Sequence, residues 1–558
     1  MPAHAGIHDL RFPARSPIQQ TRNPLQHQPE FPPIPATLHQ IFMKCRDNRT
    51  MDVPPVINPP ILRPAKPWRL AAYIALHARR RPGHPAIIRD GAEITYAALH
   101  RDLCAITQAL RARNLAPGAI AAISHHDPYA QLLLVFGCEA LGIVTGSYRP
   151  AEAAEAAGLL SLADLVLAPA MPPALHQAWL PITEAWLSAA LAAPAPYVAF
   201  PPTRQDSAEV IFRSSGTTGA PKCMMLTRQA VQDRLAKQRN PELGLGLTQT
   251  SRFLAVMHLA VGSTYTAAAN LLRLGGVFIG VSDIAAPTTP NAASLLTGLN
   301  PTHLTAMPRQ LRAIVNALPT PPPGAGPLLP NLLVQSIGGK LPADLRAATR
   351  TRLAGQLREN YGTNELGAIG TVAPDNTIRL FPDSKAEILA PPGQPGPLRI
   401  RTAGMVTAYL NDPAATAAMF QHGWFHPGDI ATLTAQNRLK LAGRNQDILN
   451  LGGAKIHAAD LEAAILAHCP VTDIALVQQP DNSLIACVIP HTTATPTTLH
   501  AALAPFIPYP FRLHLLPHIP RTPEGKIQRP TLVRAVGAAA QSPGLGREPR
   551  GLCPQDPR

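Results

Sequence analysis

Apolar positions between Trp68 and about residue 440 follow two alternating rhythms. Residues 68–80 (WRLAAYIALHARR) repeat at helical spacing, 85–90 (PAIIRD) read as a short strand, and 95–114 form a long amphipathic helix. Residues 119–125 (AIAAISH) give another strand, followed by the apolar stretch Leu132 to Val144. That stretch is too short for a membrane span and contains Glu139, so it reads as a buried helix. The alternation predicts an α/β domain with mainly parallel sheets. A smaller α+β unit follows: 458–469 is a helix with Leu461 and Ile465 on one face. In the same unit, 473–479 and 483–490 are strands joined at Pro480-Asp481-Asn482. The expected division is a disordered, proline-rich 1–60, an N-terminal domain 61–445, a C-terminal domain 446–540 and a disordered tail 541–558. Met43 and Met51 are alternative starts.

Composition narrows this little. Hydrophobic residues make up 46% and charged residues 15%, a globular balance. The net charge of +15 comes from arginines scattered along the chain, without a basic run and with only 5% aromatics. That favours an enzyme with anionic ligands over a nucleic-acid-binding protein. The seven cysteines are widely spaced and form no C-x-x-C pair, so neither a disulfide framework nor a zinc site is indicated. With no signal-peptide order at the start, a cytoplasmic location is expected; the arginine-containing, acid-poor start leaves a transit peptide as the alternative.

The strongest local chemistry lies in 208–222. A β-type run leads into Ser214-Ser215-Gly216-Thr217-Thr218-Gly219 and then Pro221-Lys222, with a helix expected from Thr227. Glycines let the backbone turn its N–H groups toward an anion, the hydroxyls add donors, and Lys222 supplies a point charge for phosphate. The spacing is not that of a Walker P-loop. A polar turn between strand and helix is the plain alternative.

SSGTTGAPK resembles the glycine-rich phosphate loop of the adenylate-forming superfamily, which includes acyl-CoA synthetases, adenylation domains and luciferases. Further segments match in order between residues 68 and 535. Met257-His258 with Gly262 resembles the segment bordering the acyl pocket, which implies a catalytic-site role for His258. Gly338-Gly339 resembles the backbone lying against adenine and the acyl group. Tyr361-Gly362-Thr363-Asn364-Glu365 resembles the segment whose aromatic stacks on adenine and whose glutamate holds Mg²⁺, with Asn364 where threonine is usual. The 423–429 segment resembles the motif whose aspartate, here Asp429, grips the ribose. Arg444 would contact the nucleotide, and 445–447 would form a hinge with Gln446 where Asp or Lys is usual. Lys455 falls in the following loop, and Lys526 in the C-terminal loop that carries the catalytic lysine. Lysines number nine against forty arginines, yet Lys222, Lys455 and Lys526 all fall in these segments. A compact cation is thus favoured there.

The resemblance implies ATP- and Mg²⁺-dependent conversion of a carboxylic acid to an acyl-AMP, then transfer to a thiol, with the small C-terminal domain rotating between the steps as a lid. CoA is the first expectation for the acceptor, and a separate holo carrier protein with its phosphopantetheine is the second. A non-catalytic nucleotide-binding homologue is a third reading, supported by Asn364 and Gln446. Small residues at Ala260, Gly262, Ala267–Ala269, Ala368 and Gly370 point to an uncrowded apolar acyl pocket.

Overall fold

The structure is a computed structural model that describes residues 69–541, apart from 90, 174–176, 195–203, 215–220, 281–291, 323, 445–446, 452–453, 480–482, 492–493, 508 and 522–526. Two large sheets dominate. A six-stranded sheet runs in the order Ala178–Pro181, Leu165–Ala168, Ile120–Ile123, Val144–Ser147, Ala208–Arg213, Cys223–Thr227. Its first five strands are parallel and only the last pair is antiparallel.

The second sheet has fifteen strands. Its parallel half joins Pro85–Arg89, Val277–Gly280, Arg252–Ala255, His303–Ala306, Leu329–Ser336 and Ala354–Thr363. From Ala354–Thr363 onward every pairing is antiparallel, through Gly367–Val372, Ile378–Leu380, Leu439–Arg444, Asp429–Leu433 and Gly396–Arg401. Helix–strand alternation therefore stops near residue 363, not near 440. Beyond it the strands are short and turn on Asn376, Gly393, Gly423 and Asn437, all at positive φ, so no crossover helix is needed.

Helices fill the space between the sheets. Pro128–Leu141 packs against Ile120–Ile123 and Val144–Ser147 of one sheet and Pro85–Arg89 of the other. Tyr129 to Ala140 are all buried, which accounts for the apolar residues on every side of this helix. Asp127 caps it by accepting from the Tyr129 N–H at 3.0 Å, and Gly142 ends it at φ 85°. Arg228–Arg239 is different in kind. It lies between the 208–227 strands and Gly367–Val372, with Arg228, Arg234 and Lys237 all buried. Among the described residues no helix is long and apolar enough to cross a membrane.

Residues after 447 form a three-stranded sheet, in which Val471–Gln478 and Leu484–Pro490 are antiparallel and Phe511–Leu515 adds a parallel edge. Ala458–His468 packs on it, with Ile465 fully buried. Among the described residues the apolar clusters of this region draw only on positions 449–536, and those of the larger region only on 70–439.

Candidate active site

The strands Ala208–Arg213 and Cys223–Thr227 bring Ser214 and Lys222 together at the neck of the expected phosphate loop. The Ser214 N–H donates to the Lys222 carbonyl at 2.8 Å, and the Lys222 N–H donates to Ser214 Oγ at 2.9 Å. The loop thus joins two antiparallel strands, and the helix expected from Thr227 begins there as Arg228–Arg239, capped by Thr227 at 3.2 Å from the Ala230 N–H. Ser215, Gly216, Thr217, Thr218 and Gly219 lie outside the described residues. The Lys222 ammonium sits 5.9 Å from the centre of the Tyr409 ring.

Tyr409 connects this cation to the acidic segment. Its hydroxyl donates to Glu365 Oε1 at 2.8 Å. Burial, and then the neighbouring Glu365 carboxylate, raises the pKa of the phenol, so it stays a donor. Glu365 is only 8% exposed and follows the end of Ala354–Thr363, which turns back into Gly367–Val372. The Asn364 amide donates to the Arg213 carbonyl at 2.7 Å, which ties this turn to the root of the phosphate loop. That bond gives asparagine a role at the position where the family pattern has threonine.

A buried cation holds the turn from behind. Arg234 donates to the carbonyls of Gly404 at 2.8 Å and of Asn364 and Glu365 at 3.0 Å each. Burial lowers its pKa to about 10, and Glu365 opposes the shift. One turn further on, Lys237 reaches Thr402 Oγ1 at 2.6 Å, the Ala403 carbonyl at 3.0 Å and Asp383 at 3.1 Å. Sequence reading missed Tyr409, Arg234 and Lys237. The available signal was a polar helix with no apolar stripe, lying in the middle of a domain that had to bury it.

Asp429, 5% exposed, begins a strand beside Leu439–Arg444. Its carboxylate accepts from Arg444 Nε at 3.1 Å and from the Tyr361 hydroxyl. Burial and the adjacent Asp429 charge push the Tyr361 phenol well above its usual range. Tyr361, Asp429 and Arg444 therefore meet at one point although they come from three strands.

His258 is placed as a brace. Its Nδ1 accepts from the Ala260 N–H at 3.1 Å, which leaves Nε2 to donate to the His125 carbonyl at 3.1 Å. Burial lowers its pKa, with Arg149 and Arg213 adding to the shift and Glu152 opposing it. Both ring nitrogens are thus engaged within the protein, and they brace the Met257–Leu259 segment against the His125 backbone. Glu152 itself bridges Arg149 and Arg213, the latter at 2.9 Å. Gly338 sits at φ 82° beside Met307, and Gly339 beside Pro308. Lys455 falls in the strand Ala454–His457, paired with Asn450. Gln446 and Lys526 lie outside the described residues. The small residues Ala267–Ala269 are buried on the helix Gly262–Leu274 and pack into the core.

The chain is 24% identical to a fatty acid–[acyl-carrier-protein] ligase of Streptomyces coeruleorubidus over 507 residues, covering 82% of this chain and 95% of that protein. It is 25% identical to a sulfoacetate–CoA ligase of Cupriavidus necator over 505 residues, covering 82% and 96%. Its fold matches ATP-bound MatB from Rhodopseudomonas palustris with a TM-score of 0.70 at 19% identity, covering 84% of this chain and 100% of the other. The sequence profile of the AMP-binding enzymes matches residues 74–410, well over half of the 558. The chain belongs to the AMP-binding enzyme family.

Proposed function

We propose that this chain activates a carboxylic acid as an acyl-AMP, releasing pyrophosphate, and then passes the acyl group to the thiol of CoA. The observation that carries the reading is the meeting of Lys222 and Glu365 on the two sides of Tyr409. A cation for phosphate oxygens and a buried carboxylate are fixed there by one aromatic side chain. Glu365 would hold Mg²⁺, which draws few ligands from protein carboxylates and the rest from phosphate and water. The ion would supply charge neutralisation on the polyphosphate.

The other residues divide the remaining work. Lys222 faces phosphate oxygens from the neck of the loop. Asp429 accepts the ribose hydroxyls, and Tyr361 gives up its bond to that carboxylate as it turns to the adenine. Arg444 stays with Asp429 and lends its charge to the nucleotide. Lys526 offsets the negative charge that develops as the acid's carboxylate attacks the α-phosphorus. No covalent enzyme intermediate is needed, so positioning and fixed charge carry the rate. The domain boundary near 445 is supported by the separation of apolar clusters on its two sides. Motion about 445–447 would exchange Lys526 for the hairpin strand that carries Lys455.

Replacing Lys526 with Ala tests the reading. Adenylation, followed as pyrophosphate release, should fall far more than thiol transfer from supplied acyl-AMP. Equal losses in both half-reactions would contradict the assigned role. A second acceptor is favoured by one relative, whose name records ligation to an acyl carrier protein. Comparing free CoA with a holo carrier as acceptor separates the two.

A further inference from the structure

We propose that the protein has a second binding site, apart from the adenylation site, in which a small oxyanion of one negative charge sits between Arg69 and Arg228. A short carboxylate and dihydrogen phosphate share that chemistry. The proposal does not depend on the acyl-adenylate reading.

The site is a cavity of 280 Å³ at the amino ends of three strands of the six-stranded sheet. Gly118 and Gly142 line it just ahead of Ile120–Ile123 and Val144–Ser147, and Ser207 lines it just ahead of Ala208–Arg213. The Gly118 N–H donates to the Gly142 carbonyl at 2.8 Å and the Arg228 N–H to the Ser207 carbonyl at 2.9 Å, so backbone bonds tie these wall segments together. Gly118 is exposed, which leaves a way in from solvent. The phosphate loop leaves the opposite, carboxyl end of Ala208–Arg213, a strand ~20 Å long. The two sites are therefore separate.

Arg69, Arg228, Glu139 and Glu209 also line the cavity. Arg228 pairs with Glu209 at 3.1 Å. Arg69 makes no such pair among the described residues: its guanidinium donates to the backbone carbonyl of Glu139, a neutral acceptor, and its Nε is buried without a partner. Burial, and then the Arg228 charge, lowers the Arg69 pKa, while Glu209 and Glu139 oppose the shift. A guanidinium keeps its proton all the same, so a half-buried cation is left facing another cation. Glu139 does not balance it, because burial and repulsion from Glu209 push its pKa to about 8 and leave it uncharged at neutral pH. Two guanidiniums then face the one carboxylate of Glu209, which is already bonded to Arg228. Charges withdrawn from water call for a counter-ion, and the wall lacks one for Arg69.

Charge and size narrow the ligand. An excess of one positive charge suits an anion of one negative charge, and the flat guanidinium fork matches the paired oxygens of a carboxylate or phosphate. A cation would be repelled, and an apolar chain would strip water from charged groups without replacing it. At ~30 Å³ for each water, 280 Å³ holds an acetate- or phosphate-sized ion with a few waters around it.

The test titrates the full chain by calorimetry at pH 7 with acetate and, separately, with inorganic phosphate, the ionic strength held constant with chloride. Saturable one-to-one binding of at least one of them is expected, with a matching rise in melting temperature. The anion that binds identifies the source. Arg69→Gln should weaken binding about tenfold or more, as the loss of a charge-assisted hydrogen bond does. Ser207→Leu narrows the cavity from another wall and keeps both guanidiniums, so it should weaken binding even if Arg69→Gln does not fold. No saturable binding of either anion, or binding unchanged in the folded variants, would overturn the proposal. Binding lost in Lys222→Met but kept in Arg69→Gln would place the anion at the phosphate loop and overturn it as well.

Discussion

At Tyr409 a single hydroxyl decides how the Glu365 carboxylate is aimed, and the same ring lies beneath the Lys222 ammonium. Replacement by Phe keeps the ring and removes the bond. Hydrogen bonds to charged groups are worth about 1.5–3 kcal/mol. Tyr409→Phe should therefore lower kcat/KM for Mg-ATP by roughly ten- to a hundredfold while leaving the melting temperature nearly unchanged. An unchanged kcat/KM would remove Tyr409 from the site. Arg234 predicts the opposite pattern, because three carbonyls depend on one guanidinium. Arg234→Met should destabilise the fold by about 3 kcal/mol or more, as unmet buried acceptors each cost about 1–3 kcal/mol, and a melt or denaturant titration reads this directly. Lys222, Glu365, Asp429 and Arg444 were legible because each sits among neighbours that spell a local pattern. Tyr409 and Arg234 were not, because they lie 44 and 131 residues from the group they serve and only the fold joins them.

Two elements set the geometry of the site, and they differ in how plainly the sequence announces them. The helix Pro128–Leu141 is apolar on all sides because it has a sheet on either side, and a continuous apolar run conveys that directly. The 354–444 strands are harder to read. They are turned by single glycines and asparagines, so the expected helix crossovers never come. Within them Gly362 has no room for a side chain. A Cβ there would meet the Gly367 carbonyl oxygen and come within 3.1 Å of Ala368 Cα, both backbone atoms that cannot rotate away. Gly362→Ala should spread the hairpin that leads into Asn364 and Glu365. Adenylation should fall by about tenfold or more, as expected when a small displacement spoils alignment, and the melting temperature should drop with it. Wild-type activity in this variant would mean that the hairpin does not set the position of Glu365. The helix from Thr227 was legible, whereas nothing in SSGTTGAPK says that Cys223–Thr227 pairs back on Ala208–Arg213 as an antiparallel strand.

Across the whole molecule, helix Pro128–Leu141 carries Glu139 into the core, where its Oε1 accepts from Tyr265 at 2.8 Å and Thr145 at 3.0 Å. Burial, and then repulsion from Glu209, raises its pKa to about 8. The folded protein therefore keeps a proton that the unfolded chain releases near the ordinary glutamate value. The stabilisation is full below that value and is lost as pH rises through about 8. Glu139→Gln keeps the acceptor and removes the proton, so it should flatten the loss of stability between about pH 5 and 8. Chemical denaturation of both proteins across that range is the check, and parallel curves would contradict it. In the C-terminal region Arg529 binds Asp447 at 2.7 Å, both oxygens of Glu462 and the Leu476 carbonyl. It fixes the end of the proposed hinge to the region that would move. The sequence marked 445–447 as a pivot but gave no sign of this partner, which lies 82 residues further on. The central claim is that an acid's carboxylate attacks ATP on this protein. The most direct measurement is pyrophosphate release from Mg-ATP with a panel of acids and hydroxylamine as the trap. Acid-dependent pyrophosphate together with the matching hydroxamate is the predicted result. ATP binding without acid-dependent pyrophosphate from any member of a broad panel would contradict the account.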